Sequence, residues 1–415
     1  MAARRRVVVT GIGPVTPVGI GVEEFWEGLV VGRNGIRTIS RFDPADLPVK
    51  VAGEVEGFDP SRFLDPKEVR RTDRFSHYAL AAAQLAWDDA GGPEVVPERG
   101  GAIIATGIGG IETLLQQHLV MLEKGAGRVS PFMVPALMAN AAAGHVAMRF
   151  GLTGPNFATV SACSSSNHAI GEAMRYIREG ALDLCVAGGS EAATLPLTVA
   201  AFSQMTALSK NPDPERASRP FDAGRDGFVL AEGACCLVLE AEEHARARGA
   251  RIYCEVAGYG ASDDAFHITA PDPKGSGAAL SMLWALRDAG EEPSAVDYVN
   301  AHGTSTPLND AAETAAIKAA LGEEVAHRIA ISSTKSMTGH MLGAAGAVES
   351  AACVLAIARG VVPPTIHYET PDPECDLDYV PNEARRMEVR LALNNSFGFG
   401  GHNAVIAFRR LDGAR

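Results

Sequence analysis

The feature that most constrains the fold of this chain is an internal repeat, because several local patterns occur once in each half and in the same order. An apolar segment with two glycines, residues 9–13, matches residues 256–260. A predicted helix that ends at glycine, residues 85–91, matches residues 283–290. A predicted buried strand and a glycine-containing loop follow each helix. We therefore expect two similar units, each leaving its first strand through a glycine turn.

The two units alternate predicted strands with helices of about ten to fifteen residues, which is typical of α/β folds with mostly parallel sheets. Their boundary falls near residues 246–250, whose small and charged residues suit a surface crossover or a helix end. We predict an N-terminal unit over residues 1–250 and a C-terminal unit over residues 251–415, related by a pseudo-two-fold axis. Since 47% of the 415 residues are hydrophobic, the chain can bury a large core.

One cysteine of the first unit is a candidate nucleophile. Cys163 lies between an apolar segment, residues 157–160, and a segment with helical spacing, residues 170–177. A thiol at a helix start faces unpaired N–H groups and the positive end of the helix dipole, which favour the thiolate and lower the thiol pKa. A small buried cysteine without reactivity is the alternative interpretation.

Two histidines of the second unit occupy similar positions after predicted strands. His302 follows the apolar residues 296–299, and His340 lies between residues 329–331 and a predicted helix. Catalytic and ligand-binding groups favour loops at such positions. A single histidine is usually structural, but two at equivalent exits, opposite an activated cysteine, favour a catalytic site.

Other classes of site fit these residues poorly. Cys163, the two histidines and Glu349 lack the short spacings of common metal-ligand motifs, so we predict no metal among them. The glycines at positions 11 and 13 lack the third glycine of a dinucleotide-binding fingerprint, and no phosphate-binding loop motif occurs. Residues 188–192 do not form the turn that carries a hydrolase serine.

A glycine-rich segment, residues 394–403, lies between two apolar stretches that we predict to be strands. Glycines on both sides of Phe399 would let backbone N–H groups approach a ligand while the ring moves. An oxyanion hole with a gate needs both properties. An ordinary glycine-rich hairpin is the alternative, and His402 is then a loop histidine.

Composition excludes several classes of partner and location. The formal charge of −13 argues against a general nucleic-acid binder or a binder of anionic membranes. The seven cysteines include no C-x-x-C pair and are predicted to be reduced, which favours the cytoplasm. Arginines at positions 4–6 precede an apolar run, but prolines and glycines interrupt it, so we predict a buried strand and no signal peptide. No run of about eighteen apolar residues is apparent, so we expect no membrane insertion.

A basic stripe is the local exception in this acidic chain. Lys67, Arg70, Arg71 and Arg74 have the i, i+3, i+4, i+7 spacing of one helix face. Such a face suits an acidic protein partner, although a solvated helix surface has the same pattern.

Four motifs in this order resemble those of the β-ketoacyl-acyl-carrier-protein synthases. They are T-V-S-A-C-S-S at 159–165, N-A-H-G-T-S-T at 300–306, S-T-K-S-M-T-G-H at 333–340 and N-S-F-G-F-G-G at 395–401. The resemblance extends from about Arg6 to Phe408. It implies the thiolase fold, with five alternating αβαβα layers built from two duplicated halves, and a cytoplasmic homodimer. It also implies a condensing enzyme of fatty-acid elongation whose partner is acyl carrier protein.

The resemblance further implies a role for each motif residue. Cys163 would hold the acyl chain, and the backbone N–H groups of Cys163 and Phe399 would form the oxyanion hole. His302 and His340 would stabilise the enolate, supported by Lys335 in an ion pair with Glu349. Other implied roles are phosphopantetheine binding by Thr304 and Thr306, gating by Phe399, an acyl pocket at Ile108, Met133 and Phe202, and a monovalent cation near Asn300 and Glu349.

Relatives of different activity remain as alternatives. No cofactor is implied, since phosphopantetheine arrives on the carrier protein. Related synthases carry asparagine in place of His340, thiolases use a second cysteine, and non-catalytic chain-length subunits lack the nucleophile. The presence of Cys163 with both histidines favours an active decarboxylating enzyme. A ketosynthase of a polyketide pathway would share these residues, and a non-catalytic subunit of a heterodimer is the third hypothesis.

Overall fold

Strands and helices alternate along the chain in the computed structural model, which describes residues 4–411. The strands are β1 (Val7–Thr16), β2 (Gly19–Ile20), β3 (Ile36–Thr38), β4 (Val51–Gly53), β5 (Gly100–Ala105), β6 (Asn156–Phe157), β7 (Leu184–Glu191), β8 (Gly233–Ala241), β9 (Cys254–Asp263), β10 (Tyr298–Asn300), β11 (Ala330–Ser332), β12 (Val361–Val362), β13 (Arg385–Arg386), β14 (Leu391–Gly398) and β15 (His402–Arg409).

The helices include several of one or two turns. They are α1 (Val22–Val30), α2 (Pro66–Arg71), α3 (Arg74–Asp89), α4 (Ile111–Lys124), α5 (Met133–Leu137), α6 (Ala141–Phe150), α7 (Ser165–Arg178), α8 (Pro196–Gln204), α9 (Pro214–Ala217), α10 (Glu242–Ala247), α11 (Ser276–Ala289), α12 (Pro307–Leu321), α13 (Glu323–Ala326), α14 (Lys335–Thr338) and α15 (Ala345–Arg359).

The main sheet shows the duplication directly. From its centre outward, the first half runs β1, β8, β7, β5, β6, and the second half runs β9, β15, β14, β10, β11. The halves are joined by two residue pairs between β1 and β9, Val8 with Glu255 and Val9 with Cys254. Equivalent strands therefore occupy equivalent positions on either side of this junction.

The prediction of mostly parallel sheets is wrong. Only the outer pairs are parallel, β5 with β6 and β7, and β10 with β11 and β14. The inner pairs β1–β8, β7–β8, β14–β15 and β9–β15 are antiparallel. Antiparallel neighbours such as β14 and β15 need only a tight hairpin, so these strands add no crossover helix to the sequence pattern.

Three large hydrophobic clusters define five layers, as predicted. The central cluster combines α7 and α15, through side chains such as Ile170 and Leu355, with inner strands of both halves. A second cluster packs α3 and α6 on the first half, and a third packs α11 and α12 on the second half. The order is helix, sheet, helix, sheet, helix, so the two central helices lie buried between the sheets.

The repeated glycines lie within strands and not in turns, which corrects the sequence interpretation. A Cβ atom at Gly11 would lie 2.1 Å from the carbonyl oxygen of Ala86 in α3, and one at Gly258 would lie 2.1 Å from that of Ala285 in α11. Each outer helix therefore packs so closely on its strand that only glycine fits. Residues 246–250 contain the end of α10, as one of the two interpretations expected.

The basic stripe does not lie on one helix, contrary to prediction. Helix α2 ends at Arg71, Thr72 is extended, and Asp73 caps α3 by accepting the N–H of Phe75. The four cations therefore do not form one face of a continuous helix, although Arg70, Arg71 and Arg74 line the same surface pocket. The capping box in which Asp65 and Glu68 exchange hydrogen bonds fixes the start of α2, and the extended Thr72 ends it.

One segment has the length and composition of a membrane span, which the sequence analysis overlooked. It covers Leu342–Arg359, and 89% of it is buried inside the protein. This segment includes α15, whose apolar residues pack in the central layer. A buried core helix accounts for its hydropathy.

Candidate active site

Cys163 lies in a tight turn two residues before α7, as the sequence predicted for a helix start. Its neighbour Ala162 has a φ of 49°, in the left-handed region that residues with a Cβ rarely adopt. Ser164 Oγ donates to the carbonyl oxygens of Ser396 and His402, at 2.9 and 2.7 Å, so β14 and β15 hold this turn. The thiol is fixed by both halves of the molecule.

His340 occupies the equivalent turn of the second half, shortly before α15. Its Nε2 lies 3.0 Å from the Sγ of Cys163. Its backbone N–H donates to Val229 O at 2.7 Å, and its carbonyl accepts the N–H of Ala231 at 2.9 Å. His340 Nδ1 has no hydrogen-bond partner among residues 4–411, so no bond there fixes its tautomer.

His302 follows β10 and faces His340, with ring centroids 5.4 Å apart. Lys335 Nζ donates to His302 O at 2.7 Å and lies 3.4 Å from His302 Nδ1. Since an ammonium group only donates, this contact leaves the ring proton on Nε2. Lys335 thereby fixes His302 as a donor on the side of the second histidine.

Glu313, in α12, is a supporting residue that none of the sequence motifs includes. Helix α12 begins earlier, at Pro307, with Thr306 as its cap. The buried Glu313 carboxylate accepts the backbone N–H groups of His302 and Gly303 at 2.8 and 2.7 Å. Burial raises its pKa to about 7. The spacing of eleven residues from His302 gave no local sign of this contact.

The prediction of a lowered thiol pKa is wrong. Burial raises the pKa of Cys163 to about 12, although the charge of Lys335 and the backbone N–H of Phe399 act in the opposite direction. The thiol is 7% exposed, and the sequence pattern did not reveal this burial. Desolvation of a thiolate therefore outweighs the helix start, and the thiol needs a proton acceptor.

Both imidazoles are neutral bases in this environment. Burial, followed by the Lys335 charge, holds the pKa values of His302 and His340 well below the ordinary histidine value. A neutral His340 at 3.0 Å from Sγ can accept the thiol proton. A histidine from the other half is therefore positioned to act as a base for this thiol.

Lys335 and Glu349 form the predicted ion pair, and both are buried. Burial raises the pKa of Glu349, against the effect of the Lys335 ammonium group. Only Oε1 of Glu349 contacts Lys335, while its Oε2 is buried without a hydrogen-bond partner among the described residues. A buried oxygen of this kind is suited to a cation.

Further oxygens near β10 and β14 share this property. Asn300 and Asn394 are neighbours in the sheet register, and the Oδ1 atom of each is buried without a partner in the described part of the chain. The same holds for Ser396 Oγ, whereas the side chain of Asn395 lies on the opposite face of β14 and donates to Glu313. Carbonyl and carboxylate oxygens are ligands for hard cations, so this donor set fits the predicted ion.

An apolar cavity of about 630 Å³ opens onto the catalytic residues. The residues predicted for catalysis, gating and substrate binding that line it are Cys163, His302, His340, Phe399, Thr304, Thr306, Ile108 and Phe202. Met133 does not line it, because α5 places this residue beside a separate pocket that contains Arg70 and Arg71. Within one chain, Met133 is therefore not part of the acyl pocket.

Aromatic and apolar residues that the sequence analysis missed complete the cavity. The Phe228 ring packs against His340 with centroids 5.3 Å apart, and Phe397 packs against His302 at 5.7 Å. Leu342 also lines the cavity. Phe228 lies far from the other site residues in sequence, so no local pattern indicated it.

The four residues of the basic stripe differ in their surroundings: one forms an ion pair inside the protein, and three are exposed. Arg74 donates to both carboxylate oxygens of buried Glu232, at 3.2 and 3.0 Å. Lys67, Arg70 and Arg71 are exposed, and Arg71 lies over the ring of Phe132. Arg74 is therefore a structural residue, whereas the other three present their charge to solvent.

The three reactive groups also satisfy a spacing that could hold a metal ion. The ligand atoms of Cys163, His302 and His340 all lie within 4.8 Å of one another. The fold thus brings together residues whose sequence spacing showed no metal motif. The absence of a metal from this cluster stays a prediction.

Comparison with known proteins assigns this arrangement to a family. The descriptions "Beta-ketoacyl synthase, N-terminal domain" and "Beta-ketoacyl synthase, C-terminal domain" match residues 4–245 and 253–369. The chain belongs to the β-ketoacyl synthase family, a class of condensing enzymes that transfer acyl groups. The predicted thiolase fold is thereby confirmed.

The most informative relatives narrow the class to the type 2 synthases. The 3-oxoacyl-acyl-carrier-protein synthase 2 of Synechocystis sp. is 52% identical over 410 residues, with 98% of each chain covered. That of Coxiella burnetii is 48% identical over 411 residues, covering 98% of this chain and 99% of the relative.

A polyketide enzyme shares the fold at lower identity. The solved structure of a type II polyketide acyl-carrier protein in complex with its ketosynthase has a TM-score of 0.91. It is 38% identical and covers 98% of this chain and 100% of that chain. The fold alone therefore does not separate the two pathways, and the higher identities favour the type 2 synthases of fatty-acid elongation.

Proposed function

We propose that this chain catalyses decarboxylative Claisen condensation of acyl-acyl-carrier protein with malonyl-acyl-carrier protein in fatty-acid elongation. The products are β-ketoacyl-acyl-carrier protein, CO2 and free carrier protein. The observation that carries the proposal is the meeting of Cys163, His302 and His340 at one apolar cavity. Such a cavity suits an acyl chain, and the names of the relatives supply the carrier-protein substrates.

In the first step, the acyl group moves from the carrier to Cys163. His340 Nε2 accepts the thiol proton while Sγ attacks the thioester carbonyl. The backbone N–H groups of Cys163 and Phe399 stabilise the oxyanion, a contribution of about 2.7–4 kcal/mol per donor in other enzymes. The carrier thiolate leaves and takes the proton from His340. Thr304 and Thr306 would bind the phosphopantetheine arm, and Phe399 would gate acyl entry.

In the second step, a malonyl thioester loses CO2 and forms an enolate. His302, whose proton is on Nε2, donates a hydrogen bond to the thioester oxygen. Because no residue in the described range hydrogen-bonds to Nδ1 of His340, this ring can change its tautomer. It can therefore serve first as the proton acceptor and then as a second hydrogen-bond donor. The enolate carbon attacks the acyl-Cys163 carbonyl, and the thiolate of Cys163 leaves and takes up a proton from solvent, which the overall reaction consumes. Loss of CO2 drives the reaction, so no cofactor takes part in these steps.

Intact mass spectrometry tests both steps. Wild-type protein mixed with an acyl-carrier-protein thioester should gain an acyl mass, and malonyl-carrier protein should discharge it as a product two carbons longer, with CO2. Cys163→Ala should gain no mass. Cys254→Ala, a buried cysteine of the second half, is the matched control. Absence of an adduct across several chain lengths would favour a non-catalytic subunit instead.

Three exposed cations, Lys67, Arg70 and Arg71, would dock the acidic carrier protein. Arg70→Glu should lower turnover of the carrier-protein substrate and leave a small thioester substrate nearly unaffected. Arg386→Glu, an exposed arginine in β13, controls for a change of net charge. Equal loss on both substrates, or on neither, would remove the docking role. Arg74 is excluded from it by its bonds to Glu232.

A homodimer is the proposed assembly. Strand β6 is at the end of the sheet, and an open edge can pair with a second copy. The neighbouring helices expose large apolar side chains, among them Leu122, Val134 and Met148 at 66%, 59% and 71%. Met133 of α5 would contact an acyl chain only through such a dimer. Leu122→Asp should reduce the sedimentation mass towards that of a monomer, and an unchanged mass would remove this face from the interface.

Further parts of the proposal concern the ion, the location and the domains. Asn300, Glu349, Asn394 and Ser396 would hold a structural monovalent cation that supports the site. All seven cysteines are buried free thiols, which supports a reducing cytoplasmic location. The two halves, residues 1–250 and 251–415, would be the duplicated units, the first carrying the nucleophile and the second the histidines.

A further inference from the structure

Glu191, at the end of β7, is a buried carboxylate that the proposed steps do not use. Its Oε1 accepts hydrogen bonds from Thr106 Oγ1 and the Ile108 N–H at 3.0 and 3.2 Å. Its Oε2 accepts the N–H groups of Gly107 and Gly343 at 2.7 and 3.0 Å. None of these four donors is charged, so the carboxylate binds two segments of backbone and no cation.

These two segments carry different parts of the site. Gly107 and Ile108 belong to the loop after β5, and Ile108 lines the cavity. Gly343 belongs to the turn three residues after His340, beside Leu342, which lines the same cavity. The segments touch, because a Cβ at Gly343 would lie 2.1 Å from the Gly107 nitrogen. Glu191 thus joins a wall of the cavity to the turn of a catalytic histidine.

The same peptide is also tied to the cysteine helix. Ser166 Oγ, in α7, donates to the carbonyl oxygen of Gly343. The Gly343 N–H is held by Glu191, so both ends of this residue are fixed. A shift of the Glu191 carboxylate would therefore move the Ile108 loop and the His340 turn relative to each other.

We propose that Glu191 is a positioning residue that determines which acyl-chain lengths the cavity accepts, by fixing the gap between Ile108 and Leu342. This inference rests on the proposed acyl pocket at Ile108. An ionised carboxylate can accept all four bonds at once, whereas an amide has a single oxygen acceptor and turns its own N–H groups towards the other donors. Burial raises the pKa of Glu191 to about 7, so its charge depends on those four bonds.

Glu191→Gln tests this role because it preserves shape and removes half of the acceptor capacity. The measurement is kcat/KM for acylation of Cys163 by a decanoyl thioester and by an acetyl thioester. The kcat/KM for the decanoyl thioester, divided by that for the acetyl thioester, should fall about tenfold or more, since an unmade buried hydrogen bond costs about 1–3 kcal/mol. Acetyl transfer should change less, because a two-carbon chain makes far fewer contacts with the cavity wall than a ten-carbon chain does.

Two controls keep the test decisive. Glu240→Gln changes a buried carboxylate on the adjacent β8, which binds Thr10, His244 and Arg248, and it should leave the ratio unchanged. If Glu191→Gln does not fold, Thr106→Val, which deletes one donor, should lower the ratio by a smaller factor. An unchanged ratio in a folded variant, or equal loss for both lengths, overturns the proposal. Failure of wild-type protein to form either adduct would instead refute the proposed function.

Discussion

The two halves of this molecule share a scaffold and differ in the chemistry placed on it. In each half, the buried helix of the central layer follows a turn that carries a reactive side chain. This helix is α7 in the first half and α15 in the second. The first half places Cys163 there, and the second places His340, with Nε2 and Sγ 3.0 Å apart. Duplication therefore brings equivalent turns together, and divergence of the two turns gives a nucleophile and a base.

The surroundings of the two turns have diverged as well. The histidine half adds the buried ion pair of Lys335 and Glu349, and Glu313 holds the loop of His302. In the cysteine half, Ala162 has a strained backbone conformation, and the hydroxyl of Ser164 hydrogen-bonds to backbone carbonyl oxygens of β14 and β15. The turn of His340 and the loop of His302 are thus supported by charged side chains, whereas the turn of Cys163 is held by uncharged hydroxyl and backbone groups.

The largest expected effect separates the two histidines. His340→Ala removes the group in contact with Sγ, so acylation should fall by about 10²–10⁴-fold, the usual contribution of general acid–base catalysis. His302→Ala should leave acylation within a few-fold and lower the release of CO2 from malonyl-carrier protein. Single-turnover mass spectrometry and CO2 release measure the two steps. Equal loss of acylation in both variants would contradict the division of roles.

A pH profile tests how the cysteine is activated. Because burial raises the pKa of Cys163 to about 12, the thiolate fraction should still be increasing at pH 9. In His340→Ala, which lacks the base, alkylation by iodoacetamide, measured against a variant that also carries Cys163→Ala, should rise about tenfold per pH unit between pH 7 and 9. A plateau below pH 8 would show that the helix start lowers the pKa after all and that His340 is not needed for activation.

The duplicated scaffold predicts matched losses of stability. Gly11→Ala and Gly258→Ala each place a Cβ 2.1 Å from a helix carbonyl oxygen, so each should cost about 1–3 kcal/mol or more. Urea unfolding should give similar losses for the two variants. Gly144→Ala is the control, since among residues 4–411 no atom beyond the local backbone of α6 lies within 4 Å of its Cβ position, and it should stabilise by about 0.5–1 kcal/mol. A large difference between the matched pair would mean that only one half retains this close packing.

Much of this architecture could be predicted from the sequence because it follows from local rules. The repeat indicated two equivalent units, and the positions after buried strands indicated Cys163, His302 and His340. Burial could not be predicted in the same way. The sign of the Cys163 pKa shift depends on burial among residues distant in sequence, such as Val49 and Leu342, and Arg74 is engaged by Glu232, which lies 158 residues away. Long-range packing therefore decides charge state and availability, which local patterns do not encode.

The smallest expected effect concerns strain in the two turns. Ala162 has a φ of 49° beside Cys163, and Leu342 has a φ of 46° after His340. Ala162→Gly should relieve a cost of about 1–2 kcal/mol, partly offset by the greater freedom of glycine in the unfolded chain, for a net gain below about 1 kcal/mol. Acylation should nevertheless slow by a few-fold, because the thiol is held less firmly.

Leu342→Gly, the matched change in the histidine half, should destabilise instead. Its side chain is 6% exposed and packs in one apolar cluster with Cys163, so lost burial outweighs relief of strain. Urea unfolding and single-turnover acylation distinguish the two cases. If both variants lost stability, Ala162 would hold no releasable strain. If Ala162→Gly stabilises the protein and Leu342→Gly destabilises it, the turn at Cys163 keeps its backbone strain to position the thiol. The turn at His340 then adopts the same backbone conformation to bury a side chain.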